Sequence, residues 1–165
     1  MSNSSGTSFT IGVADMKVTN DPDAMLVTYS LGSCLGIVVY DPVAKVGGLL
    51  HIMLPDGSEE KSSPKFNPHK YVDTGVPLLF KETYKLGAKK NRMVVYVTGG
   101  SQILDDSGYF NIGKRNIAAL RKLFWKNGVM VDKEHVGGSV SRTVRLYMVN
   151  GETTVSIGRD KVIKL

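Results

Sequence analysis

The chain has 165 residues, 42% of them hydrophobic and 22% charged, which suits one soluble domain able to bury a sizeable core. A net charge of +6 invites a nucleic-acid reading, but the basic residues are scattered and not interleaved with aromatics, so a solvated face or a patch for an acidic protein partner is favoured. No apolar run approaches the roughly 20 residues of a membrane helix, which argues against membrane insertion.

Residues 1–8 lack the basic and apolar regions of a secretory signal and read as a disordered leader before a single domain over 9–165. Phe9 to Val18 is expected as one strand, closed by the Asn20-Asp21-Pro22 turn. Ala24 to Leu31 leans β, and Leu35 to Tyr40 is a continuous apolar, β-branched run suited to a buried strand. Asp41-Pro42-Val43-Ala44 reads as a turn with proline where type I wants it, and Gly47 to Met53 as another apolar strand. Pro55 to Pro68 is a long polar loop.

Val72, Val76, Leu79, Phe80, Thr83 and Leu86 then form a helical stripe. Pro77 tolerates only the first turn, so the regular helix is expected to begin near Thr74 or to kink there, with Gly87 capping its end. Arg92 to Thr98 is a strand, and Gly99-Gly100 opens a loop through Asn111. Gly113 to Asn127 is the second helix, with Ile117, Leu120 and Phe124 inward and Gly128 closing it. Val129 to Val136, Thr143 to Val149 and Thr153 to Ile157 complete the β structure, with the hairpin signal Asn150-Gly151 between the last two. Strands in hairpin-like runs with two helices argue for an α+β layered sandwich over a doubly wound sheet.

One cysteine excludes an intramolecular disulfide and a thiolate zinc site, and three scattered histidines offer no metal spacing. No cofactor or metal is expected, and the cysteine usage suits a reducing, cytoplasmic compartment. Cys34 is either a small buried hydrophobe or a nucleophile. If Asp41 faces Ala44 in the turn, Cys34 stands opposite His51 on the same face, a starting arrangement for a thiolate–imidazolium pair. A slip of one residue, for which Gly47-Gly48 offers a bulge, puts them on opposite faces. Gly32 and Ser33 lead into the cysteine and suit close substrate approach and free N–H groups for an oxyanion. His69 and His135 read as surface or structural residues, and Arg142 as a surface arginine or a determinant of fold or partner.

Several ordered blocks then converge. Thr28-Tyr29-Ser30-Leu31-Gly32-Ser33-Cys34 is followed by Asp41-Pro42, by Gly48-Leu49-Leu50-His51-Ile52-Met53-Leu54-Pro55, and by Lys70-Tyr71-Val72-Asp73-Thr74. Gly99-Gly100, Asn111-Ile112-Gly113 with Arg115-Asn116, and Gly137-Gly138 through Arg142 continue the pattern. Nearly the whole chain thereby resembles the CheD family of bacterial chemotaxis, the chemoreceptor glutamine deamidases. The resemblance implies an α/β/β sandwich and thiol chemistry on a side-chain amide. Cys34 would be the nucleophile, His51 the base and then acid, and Thr28, otherwise an ordinary strand threonine, the residue that orients His51. It implies chemoreceptor cytoplasmic helices as substrate and a CheC-type response-regulator phosphatase as partner. The competing reading is a regulatory module for that phosphatase with little catalysis of its own.

Overall fold

Every residue of the strand Leu35–Asp41 (β4) is buried, because it lies between two apolar layers. Its alternate side chains serve both, which is why the run is apolar without a polar alternation. The computed structural model describes residues 6–102 and 111–165. On one face Leu35, Ile37 and Val39 join Leu50 and Ile52 of the strand Val46–Ile52 (β5). They pack beneath the helices Val72–Lys85 (α1) and Ile112–Asn127 (α2), against Val76, Leu79, Phe80, Leu120 and Phe124. On the other face Val38, Tyr40 and Leu49 meet Leu26, Leu31, Val144, Leu146 and Val155 of a second sheet.

The helix-covered sheet runs Asp15–Thr19 (β2), β5, β4, Val94–Gly99 (β6) and Lys133–Val136 (β7) in spatial order. The outer sheet runs Ser8–Thr10 (β1), Met25–Leu31 (β3), Arg142–Tyr147 (β8), Thr153–Ile157 (β9) and Lys161–Lys164 (β10). Among the named strands of the described residues, only the β1–β3 and β6–β7 pairs are parallel, so the expected α+β sandwich, in α/β/β layers with mixed sheets, is the architecture found.

The expectation for Phe9 to Val18 was a single strand, and the structure divides it. A strand begins at Ser8, stops after Thr10, and the chain crosses to the other sheet before Asp15. Ala14, at φ +58°, makes that crossing, and its N–H donates to the His51 carbonyl at 2.9 Å. Helix α1 starts at Val72, two residues ahead of Thr74, because the Tyr71 carbonyl accepts the Gly75 N–H at 2.7 Å. Pro77 consequently stands inside the helix, one turn past the position proline prefers. Of Val129 to Val136 only the last four residues are strand, since Val129–Asp132 carries the chain from α2 to the sheet edge. The mostly exposed edge strand β10 had no apolar alternation to announce it. Most of the expected loop between Gly100 and Asn111 lies outside the described residues.

The β4–β5 hairpin corrects the turn. Asp41 pairs with Val46, leaving a four-residue loop. The Asp41 carboxylate accepts the N–H groups of Val43 and Ala44 at 2.9 and 3.1 Å, and Lys45 closes the loop at φ +58°. The register therefore moves by two residues, and His51 pairs with Gly36 rather than Cys34. An even shift preserves the face, so Cys34 still packs into the layer between the sheets.

Candidate active site

Thr28 lies in β3 of the outer sheet, His51 in β5 of the inner sheet, and Cys34 one residue ahead of β4. Strand β3 carries a register irregularity between Thr28 and Leu31, with Ser30 at φ +58°. Leu26 and Thr28 point inward before it and Leu31 after it, so the irregularity reverses the alternation and turns the chain toward Cys34.

Thr28 and His51 are both buried, at 0% and 1% exposure. The Thr28 hydroxyl donates to the Ile11 carbonyl at 2.7 Å, and its oxygen lies 2.7 Å from His51 Nδ1. A hydroxyl has one hydrogen, so with that hydrogen on Ile11 it accepts from His51, and Nδ1 carries the ring proton. Nε2 is left with a lone pair, buried and without a hydrogen-bond partner among the described residues.

Burial holds the His51 pKa down to about 4. Burial also pushes the Cys34 thiol up, opposed by its own backbone N–H. Both shifts favour the uncharged forms, a thiol and a neutral imidazole.

The backbone around the thiol is held by its carbonyls. Gly32 O accepts from Ser101 N–H and Cys34 O from Gly100 N–H, each at 2.8 Å. Ser33 O accepts from the Asn116 side chain at 2.9 Å. No backbone carbonyl among the described residues accepts the Ser33 or Cys34 N–H. Gly99 supports this segment at φ +104°, and a Cβ there would lie 2.2 Å from the Cys34 carbonyl oxygen.

A family model described as CheD chemotactic sensory transduction matches residues 53–157. The chain belongs to the CheD family. It is 49% identical to the probable chemoreceptor glutamine deamidase CheD 1 of Syntrophus aciditrophicus over 88% of this chain and 91% of that one. It is 45% identical to the probable chemoreceptor glutamine deamidase CheD of Solibacter usitatus, over 86% of this chain and 83% of that one. The corresponding Pyrococcus horikoshii protein is 39% identical over 93% and 95%.

In this CheD-family chain Arg142 is not a surface arginine but a buried one, 3% exposed. Its guanidinium donates to His135 Nδ1 at 2.8 Å, Gly99 O at 3.1 Å, Ser101 Oγ at 2.8 Å and Gly137 O at 2.7 Å. It reaches from the outer sheet to the end of β6 and braces the Gly99–Ser101 segment that holds the Cys34 backbone. His135 must present a bare Nδ1 to this cation, and its pKa is lowered by burial and then by the charges of Arg142 and Lys161. His135 is therefore structural, as expected, and His69 sits apart on the 3-10 turn Pro68–Lys70. The arginine's burial had no local signal, since its partners come from segments distant in sequence. Asn116, which bonds the Ser33 carbonyl, and Gly36, which pairs with His51, also lie against the site; the first was legible only as part of a block and the second only as part of an apolar strand run. Among the described residues no cluster of three or more His, Cys, Asp or Glu could hold a metal, and no helix is long and apolar enough to cross a membrane.

Proposed function

We propose that this chain deamidates glutamine side chains of chemoreceptors, with Cys34 as nucleophile and His51 as proton carrier. The observation that carries the reading is the Thr28–His51 hydrogen bond, which leaves His51 Nε2 with an unused lone pair in the layer that also receives Cys34. The names of the relatives, probable chemoreceptor glutamine deamidases, support the substrate.

In this reading the glutamine carboxamide carbon meets Sγ while the thiol proton passes to Nε2, so neither group has to be charged beforehand. The Sγ–C bond forms, and in this reading the Ser33 and Cys34 N–H groups receive the carbonyl oxygen as it becomes an oxyanion. Nε2–H then protonates the nitrogen, the C–N bond breaks and ammonia leaves. Water attacks the thioester, giving its proton to Nε2, and the departing sulfur recovers that proton as glutamate is released. Thr28 accepts from Nδ1–H throughout, keeping the ring oriented while Nε2 gains and loses its proton.

The test is mass spectrometry of a receptor cytoplasmic fragment incubated with wild-type protein, Cys34→Ala and His51→Ala. Conversion of glutamine to glutamate adds about one mass unit per site, by the exchange of an amide NH₂ for OH. Wild-type conversion absent from both variants is expected. An unmodified fragment, with binding of a CheC-type phosphatase intact in all three proteins, would make the chain a regulatory partner instead.

A further inference from the structure

Asn116, on the second turn of α2, is wholly buried. Its Nδ2 donates to the Ser33 carbonyl and to the Met53 carbonyl, each at 2.9 Å. Ser33 immediately precedes Cys34, and Met53 lies two residues beyond His51. One planar NH₂ therefore ties the segment carrying the thiol to the strand end carrying the imidazole, with both segments anchored on a helix. Its oxygen, Oδ1, is buried without a partner among the described residues. A buried acceptor without a donor is unfavourable, so an asparagine here is a poor choice for stability alone. The other buried side-chain atom in that condition, among the described residues, is His51 Nε2.

We propose that Asn116 is a positioning residue for the reaction: by bridging the Ser33 and Met53 carbonyls it sets the separation of Cys34 and His51. The proposal rests on the deamidase reading of those two residues. The bridge needs two N–H donors on one sp² nitrogen. An ionised aspartate would present only acceptors to two carbonyls, a protonated aspartic acid would restore one donor, and serine would offer one donor from a shorter arm.

The experiment compares wild type with Asn116→Asp, Asn116→Ser and Asn116→Ala. It measures kcat and KM for deamidation of a receptor cytoplasmic fragment between pH 5.5 and 8.5, and the rate of Cys34 alkylation by iodoacetamide. Variants are compared per folded molecule, with the folded fraction taken from thermal unfolding. At pH 8 the Ala and Asp variants should lose about 10²-fold in kcat with KM within about threefold, the pattern of lost alignment. The Asp variant's activity relative to wild type should rise by about tenfold toward pH 5.5, as its carboxyl regains a proton, while the Ala ratio stays flat. Cys34 should be alkylated several-fold faster in Asn116→Ala and Asn116→Ser, because the Ser33 tether is weakened. Wild-type kcat in these variants, an Asp ratio that does not move with pH, or unchanged alkylation would each overturn the proposal. A wild-type protein that modifies no receptor fragment would sink the deamidase reading itself, while the alkylation rates would still report whether Asn116 holds Cys34.

Discussion

His51 Nδ1 lies 2.7 Å from the hydroxyl of Thr28, and that hydroxyl in turn donates to the Ile11 carbonyl. The chain of two bonds crosses from one sheet to the other and leaves the base with a defined tautomer. Thr28→Val keeps the shape but removes the acceptor for Nδ1–H and the donor for Ile11 O, both buried. The expected outcome is a loss of about 10²-fold in kcat/KM and about 1–3 kcal/mol of stability. Thr28→Ser should retain activity within about tenfold. Equal activity of the Val and Ser variants in a deamidation assay would remove Thr28 from the mechanism.

The protonation state of His51 makes stability depend on pH. The folded protein keeps His51 neutral down to about pH 4, while the unfolded chain takes up that proton near its ordinary value of 6.5. Between these values the unfolded state binds more protons, so this contribution is complete above pH 6.5 and drains away as pH falls toward 4, by about 3 kcal/mol at most. His135 acts in the same direction. Denaturant unfolding of wild type and His51→Gln across this window should show a shallower pH dependence in the variant. Parallel curves would mean that His51 is not held neutral by the fold.

Cys34, half-buried, should behave as a protonated thiol and not as a resting thiolate. Its iodoacetamide reactivity should climb only above the ordinary thiol range, at pH values beyond about 8.5, because burial raises its pKa. A rate plateau already reached near pH 6 would reveal a preformed ion pair with His51.

Gly99 offers a test of the support under the nucleophile. A methyl group there meets the Cys34 carbonyl oxygen at 2.2 Å, at a backbone φ of +104°. Gly99→Ala should destabilise the fold by about 2 kcal/mol or more and disturb Cys34 reactivity, while Gly12→Ala, with open space around it and no left-handed φ, should leave reactivity unchanged. Identical alkylation rates in the two variants would separate Gly99 from the site.

Asp41 ties the β4–β5 hairpin to Lys89 and Arg92. Burial alone would raise its pKa, but Arg92 and the N–H groups of Lys89, Ala44 and Val43 hold it down to about 2. Arg92 reaches it at 2.8 Å. Asp41→Ala should cost about 1–3 kcal/mol, because the N–H groups bonded to it lose their acceptor while the remaining Arg92 charge is partly solvated. A melting temperature within a degree or two of wild type would show that the four-residue loop is held by something else.

The amino-acid sequence by itself determined the elements whose signals are local. The apolar run of β4, the stripe of α2 closed by Gly128 and the Asn150-Gly151 hairpin each follow from neighbours along the chain. Its ordered blocks were also sufficient to place the chain in its family and to single out Thr28, Cys34 and His51 as candidates. The tertiary structure decided what those candidates face. The β4–β5 register depends on the Asp41 carboxylate and on Arg92, 51 positions away, so a turn motif could not reveal that His51 pairs with Gly36. The Thr28–His51 bond needs two sheets to meet, and the burial of Arg142 and Asn116 needs helix and sheet ends to converge on one backbone segment. Protonation followed the same division: a residue's identity sets its intrinsic acidity, but the burial that shifts both Cys34 and His51 toward their uncharged forms exists only once the layers have packed.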